Sequence, residues 1–403
     1  MGFRRVRVVG LVCAVLAGGA LLVPVLSDVA RAAPQTIAIG VDHATPAGHN
    51  FEYVDFFPRS GVKIHTGDVI DFGWSATPDG LHTATLLKTG ESPGHAWATH
   101  LLAVSDADDG GHQMQFNPTI GGPTFPPAGS GAPGACGSAA TPCIYNGSAD
   151  LNSGANPTTG AIHFFVKVNV AAGTTVNVIC LVHPGMAGSF QVVGGSTAAS
   201  TASSVSSAAA AQASSDTTGA LAAASAVGPP KVQANADGTH TVTLVAGTAT
   251  PFVEVAEMLP AAATVMAGDT VRWVTQAIKD PHTVTFPEGN QPQTEPLPNY
   301  CEASPDVLQT GPPANPPCGN PTKYEIHFNA APVGPTSIPT PVTLASSGII
   351  ANPPAPFPTS YSFTFPNAGT FTYQCRIHDH MKGTLTVLAK AATPITTTPT
   401  LTG

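Results

Sequence analysis

Charge is scarce in this chain: Asp, Glu, Lys and Arg together make up 10% of its 403 residues. Basic runs that could track a phosphate backbone are missing from its body, and the formal net charge is -9. Both observations exclude a nucleic-acid binder on charge grounds. Long amphipathic helical patterns are missing too, which argues against a helical bundle. Beyond the N-terminus no segment is apolar enough to span a bilayer. Aromatic residues are sparse, at 6%, and methionine occurs only six times, without clustering.

What is abundant is turn chemistry. There are 41 Gly and 40 Pro, and they punctuate short runs rich in Val, Thr and Phe. This pattern predicts an all-β protein, and the length suffices for two domains.

The first 32 residues read as an export signal. Arg4, Arg5 and Arg7 precede an apolar stretch from Val8 to Val25, and Ala30-Arg31-Ala32 fits a small-x-small cleavage site. Removing residues 1–32 takes away four arginines and one aspartate, so the net charge of -9 becomes -12. An exported location is expected, whether periplasmic, cell-surface or secreted, with no membrane-spanning segment in the mature chain; retention of the apolar stretch as a membrane anchor is the alternative, since its length is close to what spans a bilayer.

One short string occurs twice. Cys180-Leu181-Val182-His183-Pro184-Gly185-Met186 and Cys375-Arg376-Ile377-His378-Asp379-His380-Met381 are both C-x2-H-x2-M. Each has a histidine upstream, His82 and His282, among apolar and β-branched residues. One thiolate, two imidazoles and a thioether form the ligand set of a blue-copper electron-transfer site, in which the thioether is the weak axial ligand. Two sites are expected: His82, Cys180, His183 and Met186, then His282, Cys375, His378 and Met381. A lone Cys-x2-His could equally be half of a zinc site. The duplication, with methionines and upstream histidines in register, favours two mononuclear type 1 copper ions.

The repeat extends further. Phe51–Asp68 and Phe252–Asp269 both run from Phe to Gly-Asp over the same number of residues, and an aromatic-containing strand follows each. Such a repeat predicts two similarly folded domains, at 33–195 and 231–390. Between them, residues 196–230 are almost wholly Ala, Ser, Thr and Gly, and are expected to form a flexible linker. The Thr/Pro-rich tail 391–403 is expected to be disordered. Cys13 lies in the signal, and the other cysteines outside the metal strings are expected to pair within each half, Cys136 with Cys143 and Cys301 with Cys318, in Gly/Pro-rich loops where local disulfides fit an oxidising compartment; a separate metal site is the alternative, against which stands the lack of further clustered His or Cys. The long segments 105–160 and 287–360 are expected to be irregular loops. His43 and His49 are read as solvated loop residues, His163 and His327 as half-buried strand positions, and His380 as solvent-facing near the second site.

The runs Pro281-His282-Thr283-Val284-Thr285-Phe286 and Tyr373 to Met381 resemble the plastocyanin, amicyanin and pseudoazurin group of cupredoxins. The ligand spacing is most similar to amicyanin. Leu81 to Thr85 and Cys180 to Met186 carry the same resemblance in the first half. It covers the core of both halves but not the long insertions. It implies Greek-key β-sandwiches with copper near one end, the same eight ligands, and a one-electron carrier that serves redox protein partners. A tandem departs from the small single domains common in that group.

Enzymes built from such domains, namely two-domain multicopper oxidases and nitrite reductases, are the alternative. They need further copper ligands, including histidines flanking the type 1 cysteine. Here Ile179 and Leu181 flank Cys180, and Gln374 and Arg376 flank Cys375. No catalytic residue is therefore expected. Extracytoplasmic copper binding or delivery is a third reading, and the absence of a Met cluster weighs against it.

Overall fold

The computed structural model describes residues 33–74, 82–100, 103–105, 113–116, 136–154, 163–181, 183–289, 302–304, 307–308, 327–329, 332–352, 357–378 and 380–390. The proposed signal 1–32, the pair Cys301 and Cys318, and the tail 391–403 lie outside the described residues. Among the described residues, no helix is long and apolar enough to cross a membrane.

Two β-sandwich lobes follow one another. In lobe one, one sheet has the order Phe56–Phe57, Thr36–Val41, Val69–Trp74, His163–Val168 and Cys143–Tyr145. The facing sheet has the order Leu151–Asn152, Thr85–Leu86, Thr175–Ile179, Ala187–Val193 and Val62–His65. Alternation explains the layers: in Thr36–Val41 and Val69–Trp74 every second side chain is buried, and those residues meet Phe190 and Val178 of the facing sheet in one core. Lobe two repeats the plan. Val253–Leu259, His240–Ala249, Thr270–Val274 and Ser360–Thr364 form one sheet, and Ala262–Met266, Lys382–Leu388, Gly369–Gln374, Thr285–Phe286 and Ala345–Ser346 form the other. Trp273, Phe286, Phe363 and Tyr373 fill its core.

The insertions are partly built into the sheets, contrary to the expectation of irregular loops. Leu151–Asn152 pairs with Thr85–Leu86, and Ala345–Ser346 pairs with Thr285–Phe286. Cys136 and Cys143 form a disulfide, with sulfurs 2.05 Å apart.

The lobes are not strung on a loose tether. Phe51–Tyr53, a lobe-one strand, pairs antiparallel with Val253–Leu259 and so becomes the edge of a lobe-two sheet. The expected flexible linker also differs: Ala202–Ala226 is a 25-residue helix. A capping box between Thr201 and Ser204 starts it. Val205, Ala213 and Ala220 are buried on one face, seven or eight residues apart, so the alanines form a narrow stripe that fits close against other backbone. Ala213 and Ala220 meet Phe51, Tyr53, Phe57, Val253 and Val255 in a cluster shared by both lobes. Burying a Phe-sized side chain contributes about 1.5–3 kcal/mol, which offsets the poor helix propensity of the serines and threonines. Polar contacts fix the register. Gln212 donates to Asp55 and to the Phe56 carbonyl, Arg59 bridges Asp55 and Asp216, and the Tyr53 hydroxyl lies 2.6 Å from Thr217 Oγ1.

The strand registers also correct the repeat. Gly40 pairs with Phe57 in lobe one, and Val245 with Leu259 in lobe two. Phe51–Phe57 therefore corresponds to Val253–Leu259, one residue out of step with the Phe-to-Phe match, and the step is absorbed between Pro58 and Val62. In this register Glu52 corresponds to Glu254.

Candidate metal centres

Each site is built from one hairpin and one separate strand end. In lobe one, Thr175–Ile179 and Ala187–Val193 pair antiparallel, with Ile179 opposite Ala187. The connecting turn is pinned by Cys180 N–H donating to the Met186 carbonyl (3.0 Å) and Met186 N–H donating to the His183 carbonyl (3.0 Å). Lobe two repeats both bonds between Cys375 and Met381 (2.8 Å) and between Met381 and His378 (3.1 Å). The upstream histidine enters from the facing strand: Thr85, three residues after His82, lies opposite Ile179.

The expected donors converge. Cys180 Sγ lies 3.9 Å from His82 Nδ1 and 3.7 Å from His183 Nδ1, and the two Nδ1 atoms are 3.0 Å apart. In lobe two, Cys375 Sγ is 3.6 Å from His378 Nδ1, and His378 Nδ1 is 3.2 Å from His282 Nδ1. All six residues are buried. A metal bound at about 2.0–2.3 Å to imidazole nitrogen and thiolate sulfur holds such donors roughly 3–4 Å apart, so both triangles fit one ion. Met186 and Met381 are fully buried and belong to the same cores as Cys180 and Cys375. Soft sulfur with imidazole is a donor set suited to copper.

Electrostatics agree with thiolate ligands. Burial opposes ionisation of the Cys180 thiol, but hydrogen bonds from His183 and His82, and their charges, outweigh it and hold the thiol well below its usual range. Cys375 is held low in the same way, by His282 and His378. Backbone amides aim at the sulfurs: Thr83 N–H donates to Cys180 Sγ (3.3 Å), and Thr283 and Ile377 N–H donate to Cys375 Sγ (3.4 Å each).

The surrounding shell is duplicated as well. Thr83 Oγ1 accepts from Leu181 N–H and Thr283 Oγ1 from Arg376 N–H, each at 2.8 Å, which ties the histidine strand to the cysteine hairpin. Ser153 Oγ and Ser347 Oγ accept from Ala84 and Val284 N–H, each at 2.8 Å. The two serines come from the insertions, and the paired Asn-Ser-Gly (152–154) and Ser-Ser-Gly (346–348) strings are the sequence signal for them. Trp97 adds a contact in lobe one by donating its indole N–H to the Cys180 carbonyl (2.8 Å).

Three acids at the junction of the lobes went unread in the sequence. Glu52, Asp280 and Glu254 are all buried. Glu52 and Asp280 meet His183, both carboxylates lying 3.3 Å from its Nε2. Burial works against a charged His183, but Glu52 and Asp280 outweigh it and hold the imidazole well above its usual range. Burial likewise opposes a charged Asp280, yet the His183 charge and hydrogen bond keep it below the ordinary carboxylate range. Glu254 accepts from Ile278 and Lys279 N–H, but burial and then the Asp280 charge push its carboxyl well above the usual range.

Other histidines are distributed differently from expectation. His49 is not a free loop residue: its Nδ1 lies 3.0 Å from Glu257 of lobe two. His163 is exposed, not half-buried, and bonds Asp71 at 2.9 Å. His43 and His380 are exposed, as expected. The side chain of His327 lies outside the described residues.

No protein-family model matches the chain, and no curated protein matches it. Solved structures do match. Amicyanin from Paracoccus versutus is 19% identical, with 39% of this chain and 91% of that chain covered and a TM-score of 0.18. Reduced auracyanin from Roseiflexus castenholzii is 16% identical, with 40% and 97% covered and a TM-score of 0.22. A copper-containing nitrite reductase from Thermus scotoductus SA-01 is 12% identical, with 88% and 68% covered and a TM-score of 0.20. In its own topology this chain is all-β, with two sandwich lobes built on the same plan. Each lobe holds a buried His/Cys/His group of the kind that binds copper.

Proposed function

We propose that the protein is an exported blue copper protein with two type 1 sites, one per lobe, acting as a one-electron carrier between redox proteins and not as an enzyme. The observation that carries this reading is the duplicated triangle of buried donors, with the thiolate held by backbone N–H groups. Bound copper would supply the Cu(I)/Cu(II) couple. His82, Cys180, His183 and Met186 would hold one ion, and His282, Cys375, His378 and Met381 the other.

The chain's own contribution is rigidity. Three donors of each site come from one pinned hairpin, and the Thr83 and Thr283 hydroxyls lock the fourth donor's strand to it. Ligands fixed by packing and by outer hydrogen bonds move little when the charge on the ion changes. Burial of both cysteines keeps solvent oxidants from the thiolates.

The reading is tested by copper stoichiometry and visible absorption of the full chain. About two coppers per chain are expected, with an intense blue thiolate-to-Cu(II) band that Cys180→Ser and Cys375→Ser each remove in part. A colourless protein that prefers zinc would sink it.

A further inference from the structure

The histidines of the two ligand hairpins face the same acid. His183 Nδ1 points to Cys180 and His378 Nδ1 to Cys375, while their Nε2 atoms turn the other way. Glu52 Oε1 lies 3.3 Å from His183 Nε2, and Glu52 Oε2 lies 3.6 Å from His378 Nε2. The first oxygen is also 3.5 Å from His82 Nε2. Glu52 is 3% exposed, His183 7% and His378 3%, so all three groups are buried where they meet.

The arrangement crosses between lobes in both directions. Glu52 sits on a lobe-one strand and reaches a lobe-two histidine. Asp280 lies in lobe two, two residues before His282, and reaches His183 of lobe one. Strand pairing fixes the crossing, since Glu52 is the residue opposite Glu254.

Resting on the copper-carrier reading, we propose that Glu52 is a positioning residue for both metal centres at once and makes them a coupled pair. A buried carboxylate within 3.6 Å of a ligand of each site favours the more positive oxidation state at both, because charge is poorly screened there. Reducing one site leaves the shared carboxylate to the oxidised one, so the second electron is harder to place. The path His183–Glu52–His378 joins the sites through two buried side-chain contacts. Internal exchange along it is balanced: one site is oxidised as the other is reduced, one electron passes, and no proton or further reactant is consumed.

The test is a potentiometric titration of the copper-loaded full chain, followed by visible absorption and electron paramagnetic resonance. Unaltered chain, Glu52→Gln and Asp280→Asn are compared, and the Cys180→Ser and Cys375→Ser backgrounds assign each midpoint to a lobe. The blue band is read first, and its absence from the unaltered chain overturns the carrier reading itself. With the band present, Glu52→Gln should raise the reduction constant at both sites by tenfold or more, about 59 mV for one electron. Asp280→Asn should act more strongly on the lobe-one site. A shift confined to one site, or none, overturns the bridging role of Glu52. If Glu52→Gln does not hold copper, the chain with Glu52 intact decides: its two midpoints should lie further apart than those of the two single-site variants. Coincidence with the single-site values overturns the coupling.

Discussion

Glu52 lies directly opposite Glu254 in the antiparallel pair formed by Phe51–Tyr53 and Val253–Leu259, although each glutamate comes from a different lobe. Like charges facing across a strand pair oppose each other, and both residues are buried. The pair is tolerated because the two acids have different partners: Glu52 meets imidazoles, while Glu254 takes backbone N–H groups and is pushed toward its protonated form.

That division predicts a pH effect. A carboxyl whose folded pKa is raised binds more protons folded than unfolded, so its contribution to stability falls as pH rises from the unfolded value through the folded one. Each unit of elevation is worth about 1.4 kcal/mol. Glu254→Gln keeps an acceptor for Ile278 and Lys279 and removes the titration. Urea midpoints should match the parent near pH 4 and exceed it near pH 8. A variant that loses stability equally at both would show that the titration of Glu254 does not bear on stability.

Gly247 is a second point of asymmetry. It has φ of 78°, and a Cβ there would come within 2.1 Å of His282 Nε2. By strand register the corresponding lobe-one residue is Asp42, also at positive φ, 72°. Gly247→Ala should therefore displace His282 and remove copper from the second site alone. Metal analysis of that variant should give about half the parent's copper, and an unchanged value would show that the ring can yield without cost to binding.

Thr283→Val removes the hydroxyl that accepts from Arg376 N–H, and loss of such a bond costs about 1–3 kcal/mol. Thr83→Val should do the same at Leu181. Faster copper loss to a chelator is expected in each case, because the histidine strand is no longer tied to the cysteine hairpin. Equal release rates in parent and variants would assign the hydroxyls no part in holding the site.

The helix Ala202–Ala226 supplies a fourth expectation. Ala213→Leu adds three carbons to a buried stripe that faces Phe51, Val253 and their neighbours, and overpacking of this kind costs about 1–3 kcal/mol. Thermal unfolding should shift downward, and proteolysis should appear within the helix. A true flexible tether would accept leucine without change and would be cut in the parent.

Most of the ligand geometry was legible because it is local. Cys-x2-His-x2-Met is confined to one hairpin, and duplication supplied an internal control. The acids were not legible for two reasons. The Phe51-to-Phe252 match set Glu52 against Val253, and only strand pairing shows the one-residue step that aligns Glu52 with Glu254. Asp280 beside His183 depends on how the lobes meet, which no periodicity encodes. The helix was missed because composition ranks Ser and Thr poorly, whereas its stability comes from docking an alanine face on both lobes. Ser153 and Ser347 lay in segments read as irregular, where a two-residue strand leaves almost no pattern.

The exchanged strand Phe51–Tyr53 also bears on heredity. Two copies of a domain that merely sat side by side could be parted again by a single deletion or recombination, and each half would carry on. Here any break that frees the second half takes away the edge of its sheet, and any break that frees the first strips the cover from Phe51 and Tyr53. Loss of either half alone therefore costs the other half part of its fold.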